Sequence, residues 1–198
     1  MNNCIFTPHC TEHVCDQSCP ILAETSYLLE RNKLQINNPV FMSQPKALDN
    51  AIKLIDDIEP GELRVVVSNN TINVSNLLTY CAICKHWKGN RLHCSVYNLN
   101  FSSYLDELQK SWSSNKNSDE LDYEKIWMNT AKVLIISNID FVQFKDFQTQ
   151  TLLNLIHTRR NNNLTTIVVS PHIDTLIGSG QFYMRMKEMF KGVSTRWQ

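Results

Sequence analysis

Leu63-Arg64-Val65-Val66-Val67 runs straight into Ser68-Asn69-Asn70-Thr71-Ile72-Asn73-Val74-Ser75, and Asn76-Leu77-Leu78 then opens a stretch with helical spacing. A short β-rich run without regular polar alternation reads as a strand covered on both faces. Similar runs recur at 94–97, 132–136 and 165–169. Helical spacing fills the gaps between them, at 77–87, 104–112 and 152–159, and precedes the first run, where Leu48, Ala51, Ile52 and Ile55 lead to a stop at Pro60-Gly61. Covered strands alternating with helices predict an α/β fold, a parallel sheet flanked by helices, because parallel strands need crossover connections.

In such folds ligands sit beyond the carboxyl ends of the strands, so residues 68–75 carry the first functional question. Their length and position match the phosphate-loop spacing G-x-x-x-x-G-K-[S/T]. Ser68 and Asn73 stand where glycines belong, Val74 where the lysine belongs, and Ser75 at the hydroxyl position. Glycines let backbone amides close round phosphates, and the lysine neutralises their charge. Valine supplies no charge, so the segment reads either as a degenerate phosphate loop or as a plain polar connection. A helix starting at Ser75 would still offer a weak anion site.

The chain has 198 residues, with 19 basic and 19 acidic side chains in balance. That balance excludes a whole-molecule field drawing in nucleic acid or an anionic membrane. No apolar run reaches the roughly 18–20 residues of a membrane span, and no secretory signal pattern is present, which points to the cytosol. In that reducing compartment the seven cysteines are expected as thiols or metal ligands rather than disulfides.

Cys4, Cys10, Cys15 and Cys19 fall within sixteen residues, with His9 and His13 interleaved. Thiolate and imidazole are the preferred donors of structural zinc, and so short a segment has little apolar surface to fold on without a tether. The four cysteines are the first choice of ligands for Zn2+, with His9 or His13 as alternates. Cys81 and Cys84 share C-x-x-C spacing but lie in a helical stretch, and Cys94 starts a strand, so these three read as core. The organisation is therefore a zinc-binding Cys/His segment with a short helix (1–34), a linker (35–44) and the main domain (45–198).

Lys85, His86, Trp87, Lys88, Arg91 and His93 form the one basic-aromatic cluster. Such mixtures of cations and stacking rings serve single-stranded DNA, with Lys85, Trp87, Lys88 and Arg91 as the candidate contacts. A helix end that favours cations explains the same residues.

Residues 63–198 resemble the ATPase domain of the DnaC/DnaI helicase loaders, members of the AAA+ class. The likeness is carried by Leu152-Leu153-Asn154-Leu155-Ile156-His157-Thr158-Arg159-Arg160, by Thr165-Thr166-Ile167-Val168-Val169-Ser170, and by Ala131-Lys132-Val133-Leu134-Ile135-Ile136. The resemblance implies a P-loop NTPase-like AAA+ sheet and a role in DNA replication. It also implies which residues should be catalytic, and here the chain departs from the pattern. Ser137 and Asn138 replace the acidic pair that ends the Walker B strand, and Pro171 replaces the sensor asparagine. Neither Ser nor Asn supplies the charge that magnesium seeks or a base near neutrality. Asp140 is the only local acid, read as a weak metal contact or as a surface-loop carboxylate. Arg185 and Arg196 resemble the loader arginines that reach a neighbouring subunit's nucleotide, or are ordinary surface arginines.

A pseudo-ATPase is the expectation, with no bound ATP or magnesium, that works as an adaptor on a replicative DNA helicase or a helicase-loader ATPase. The alternative is a zinc-dependent single-stranded nucleic-acid-binding protein on the same fold. An oligomer is compatible with either, and the asparagine abundance suits a phage or other mobile element.

Overall fold

The computed structural model describes residue 32 and residues 45–89, 96–114, 119–142, 144–171, 188–190 and 194–197. Helix α1 (Pro45–Asp57) is followed by strand β1 (Leu63–Val67), helix α2 (Thr71–Gly89) and strand β2 (Val96–Asn100). Helices α3 (Phe101–Ser114) and α4 (Asp119–Thr130) lead to β3 (Val133–Ser137), a 3-10 turn (Ile139–Phe141), α5 (Asp146–Asn161), β4 (Thr165–Ser170) and β5 (Ser194–Arg196). The five strands lie in the order β2-β3-β4-β1-β5, with every neighbouring pair parallel. The predicted α/β architecture is what is observed.

Side chains on one sheet face, Val66, Val133, Ile135, Ile167 and Val169, pack with Ala51 and Ile55 of α1 and with Val74, Leu77, Leu78 and Ile83 of α2. Those on the other face, Val65, Leu99, Leu134, Ile136 and Val168, pack with Phe101, Leu105, Leu121, Leu152 and Ile156 from α3, α4 and α5. The apolar runs are thus explained by helices on both sides, and β3 is buried along its whole length. Between α1 and β1 the chain turns at Gly61, whose φ of +79° would be strained with any side chain. A Cβ there would also lie 2.4 Å from Asn163 Oδ1.

Three elements depart from the sequence reading. Helix α4 is absent from it, because its inward face carries only Leu121 and Met128 as fully buried residues while Tyr123 and Ile126 face out, which blurs the helical period. Strand β5 is absent too, since Ser194-Thr195-Arg196 has no apolar run; its parallel pairing with Val65–Val67 forms it. Helix α2 begins at Thr71 rather than near Leu77, with consequences for the site.

Arg159, read as one of a family-like basic pair, is fully buried in the last turn of α5. Its Nε donates to Thr166 Oγ1 (2.9 Å), Nη1 to Met128 O (2.7 Å), and Nη2 to Ala131 O (2.8 Å) and Thr165 O (2.6 Å). Burial pulls its pKa down to about 10, so it stays charged at neutral pH. Helix α4 has no basic residue in its last turn. The guanidinium supplies that cation from another helix, where the helix dipole favours it.

At the open edge of the sheet, the Asn32 side chain accepts a hydrogen bond from Asn98 N (2.6 Å) and donates to Val96 O (3.2 Å). One carboxamide therefore satisfies an edge donor and an edge acceptor of β2, as a neighbouring strand would.

Candidate functional site

The carboxyl ends of β3, β4 and β1 lie side by side, since Val67 pairs with Ser170 and Ile136 with Val168. This register brings Ser68, Ser137, Asn138 and Pro171 to one end of the sheet, as their order in the sequence predicts. Arg185 lies outside the described residues. Arg196 has its backbone on β5 beside Val67, and its side chain lies outside the described residues.

The connection between β1 and α2 is only residues 68–70. Ser68 N donates across to Ser170 O (3.1 Å), and Ser68 Oγ accepts from Asn70 N (3.1 Å). Asn70 Oδ1 in turn accepts from Asn73 N (3.3 Å), while Asn70 O takes Val74 N (3.1 Å). This is a helix N-cap built from the chain's own amide side chain, the role for which Asn is among the best residues. The amides of Asn70, Asn73 and Val74, which a phosphate loop would turn toward a ligand, are engaged here by Ser68 Oγ and by the side chain and carbonyl of Asn70.

The helix thus starts four residues before Ser75, which corrects the expectation of a helix N-terminus and weak anion site at that residue. Ser75 is buried in the second turn, and its Oγ donates to Ile72 O (2.9 Å). Val74, at the lysine position, faces the core cluster with α1. Asn73 is half-buried in the first turn, and Ile72 beside it is exposed. The N-cap signal was present in the sequence as Asn70 three residues ahead of Asn73, but the fixed eight-residue spacing of the motif masked it. Replacing Asn70 by Ala should lower stability by about 1 kcal/mol. Urea unfolding reads this directly, and an unchanged midpoint would mean that the cap contributes nothing.

At the end of β3, Ser137 is buried and its hydroxyl donates to Leu99 O and Asn98 Oδ1, each at 3.3 Å. Asn98 Nδ2 reaches Asn76 Oδ1 on α2 (3.2 Å), so an uncharged network joins α2, β2 and β3. Sequence reasoning missed Asn76 and Asn98 because neither falls in a motif. Asn138 takes the left-handed conformation at φ 56°, which Asn tolerates, and opens the 3-10 turn. Asn138 Oδ1 and Asp140 Oδ1 are both enclosed and have no protein partner among the described residues. Asp140 is half-buried in the 3-10 turn.

Lys85, expected among the DNA contacts, folds back onto the end of α1 with 32% of its side chain exposed. Its Nζ donates to Ile55 O and to Asp56 O (3.2 Å) and lies 3.9 Å from Asp56 Oδ1. It caps the carboxyl end of α1, the cation-favouring place on a helix. The side chains of Trp87 and Lys88, and the whole of Arg91, lie outside the described residues, as do Cys4, Cys10, Cys15, Cys19, His9 and His13. Cys81 packs in the core, where burial, with Asp56 nearby, raises its pKa to about 12. It is a protonated core thiol at neutral pH.

The geometry defines an α/β domain whose five-stranded parallel sheet is flanked by helices on both faces. Among solved structures the chain is similar to domain III of the Thermotoga maritima replication initiation protein DnaA, with a TM-score of 0.56 at 13% identity over 78% of this chain and 62% of that one. It is also similar to AMPPCP-bound DnaA from Aquifex aeolicus, with a TM-score of 0.51 at 10% identity over 76% of this chain and 44% of that one. A DnaI structure aligns at 17% identity over 82% of this chain and 83% of its own, with a TM-score of 0.49. The chain therefore spans less than two thirds of either DnaA chain, and at these identities the likeness establishes the fold alone. No protein-family model and no curated relative matches the chain. Among the described residues, no helix is long and apolar enough to cross a membrane.

Proposed function

We propose that this chain is a catalytically inactive adaptor of DNA replication that docks on a replicative helicase or on the ATPase that loads it. The replication context comes from the DnaA fold likeness together with the loader-like pattern of the sequence. The observation that carries the inactivity is the short capped connection at residues 68–70, where Ser68 Oγ takes Asn70 N and Asn70 in turn caps the first turn of α2 through Asn73 N and Val74 N. A triphosphate and its magnesium ion do not fit these residues. The lysine position is a core valine, the hydroxyl of Ser75 is engaged with Ile72 O, and Ser137 and Asn138 carry no charge. A hard cation needs anionic oxygens, and Asp140 alone is a poor substitute for the pair.

Zinc in the N-terminal segment belongs to the same reading. Cys4, Cys10, Cys15 and Cys19 supply the thiolates of a tetrahedral structural site, and binding would provide the folding energy that so short a segment lacks. Single-stranded DNA is the weaker partner, because Lys85 is committed to α1 and the molecule carries no net charge.

One set of measurements tests the reading. Calorimetric titration with ATP and magnesium should give no binding heat, and phosphate release should stay at the buffer rate. Elemental analysis of the purified full chain should find about one zinc per chain, as four-ligand sites hold one ion. Saturable binding to immobilised helicase or loader is expected, against weak, salt-sensitive binding to single-stranded DNA. ATP turnover that Ser75→Ala abolishes would overturn the inactive assignment.

A further inference from the structure

An amphipathic surface helix needs one apolar stripe, the one that faces the core. Helix α4 carries two. Leu121 and Met128 point inward and are buried. Tyr123 and Ile126, one helical turn apart and so on a common face, are 63% and 54% exposed. The line continues through exposed Asp119 at one end and Thr130 at the other. Asp119, Glu120 and Asp122 give this end of the helix its acidity, and Lys125, the one basic residue within α4, pairs with Asp122 at 3.2 Å. The helix dipole explains acids in a first turn, but it does not explain an outward tyrosine and isoleucine beside them.

We propose that this outward stripe is a docking surface for a cationic segment bearing apolar side chains on the partner protein. The assignment rests on the adaptor reading and adds where the partner sits. Charge selects the occupant: the carboxylates would repel nucleic-acid phosphates and anionic lipid alike, whereas they complement lysine and arginine. Tyrosine is among the residues most enriched at interface centres, where an apolar ring and a polar hydroxyl both find partners. The acids contribute mainly to the rate of encounter, and Tyr123 and Ile126 to the lifetime of the complex.

The test compares three full-length variants with the wild type, using the purified helicase and the purified loader ATPase of the same replication system as probes in a surface-binding assay. Tyr123→Ser with Ile126→Ser should weaken binding roughly tenfold or more, mostly through faster dissociation. Asp119→Asn, Glu120→Gln and Asp122→Asn together should slow association and flatten its salt dependence. Ile72→Ser, which alters an equally exposed side chain on α2, should change neither. All the altered positions are exposed, and thermal unfolding checks that the fold is retained. Wild-type binding that neither α4 variant disturbs would overturn the surface and leave the adaptor reading intact. Failure of the wild type to bind either probe would overturn that reading, and this partner with it. If sedimentation shows that the α4 variants lose self-association instead, the occupant is a second copy and the assigned partner is wrong.

Discussion

Replacing Arg159 with Met should cost roughly 3–5 kcal/mol and lower the melting temperature by about 10 °C. The guanidinium is the common donor to Met128 O, Ala131 O, Thr165 O and Thr166 Oγ1. A thioether of similar length fills the space and leaves all four acceptors without that donor. Each buried acceptor left unpaired costs about 1–3 kcal/mol, against a total stability of about 5–15 kcal/mol for a domain. Arg159→Lys should recover only part of the loss, because one ammonium cannot reproduce a planar fork that reaches α4 and β4 together. The neighbouring Arg160 is exposed, and Arg160→Met should stay within about 0.5 kcal/mol. Urea unfolding of the three variants measures the contrast. Equal small losses at 159 and 160 would show that the buried network contributes little.

Arg159 also marks where the sequence could and could not be read. Its place beside Arg160 in a loader-like stretch gave it a family resemblance, while its work is to hold α5, β4 and the end of α4 together. Nothing in a single sequence separates a buried arginine from an exposed one, since exposure is the ordinary state of that residue. The strands were legible because β3 and β4, buried on both faces, can carry only apolar or small side chains. Helix α4 was hidden by Tyr123 and Ile126, whose outward placement breaks the single-stripe pattern on which helices are recognised. Strand β5 is made by its neighbour's hydrogen bonds, and three residues of backbone pairing leave no compositional trace.

The site shows the same division. Strand order and spacing sufficed to bring positions 68, 137, 138 and 171 to one end of the sheet, because the carboxyl ends of parallel strands must lie together. The local conformation at 68–75 was not legible from motif spacing. An eight-residue template assumes a loop, whereas Asn70 ends the loop after three residues by capping α2 itself. Local side-chain capping won over the long-range template, as it does wherever Asn or Ser sits just ahead of a helical run. Lys85 likewise joined a basic cluster in the sequence but finds carbonyl acceptors 29 and 30 residues earlier, at Asp56 and Ile55.

Introducing the missing lysine is therefore expected to damage the protein rather than repair a nucleotide site. Val74 is 5% exposed and packs in the cluster that includes Ala51, Ile55 and Leu78. Val74→Lys places an ammonium among these apolar groups, at a cost of roughly 3 kcal/mol or more. Val74→Ile, which adds one methylene, should cost no more than about 1–3 kcal/mol through overpacking. The two effects separate by pH. Burial disfavours the charged lysine, so its folded-state pKa falls below the usual value of about 10.4. Between the depressed and the ordinary pKa the unfolded chain binds more protons than the folded one, and stability rises with pH. Relative to wild type, the Val74→Lys deficit should shrink as pH rises through that window, whereas the Val74→Ile deficit should not change. Thermal unfolding across the alkaline range, with and without ATP and magnesium, records both curves. A Val74→Lys protein as stable as wild type and further stabilised by ATP would mean that the side chain reaches a phosphate-accepting loop, and that the capped turn opens to form one.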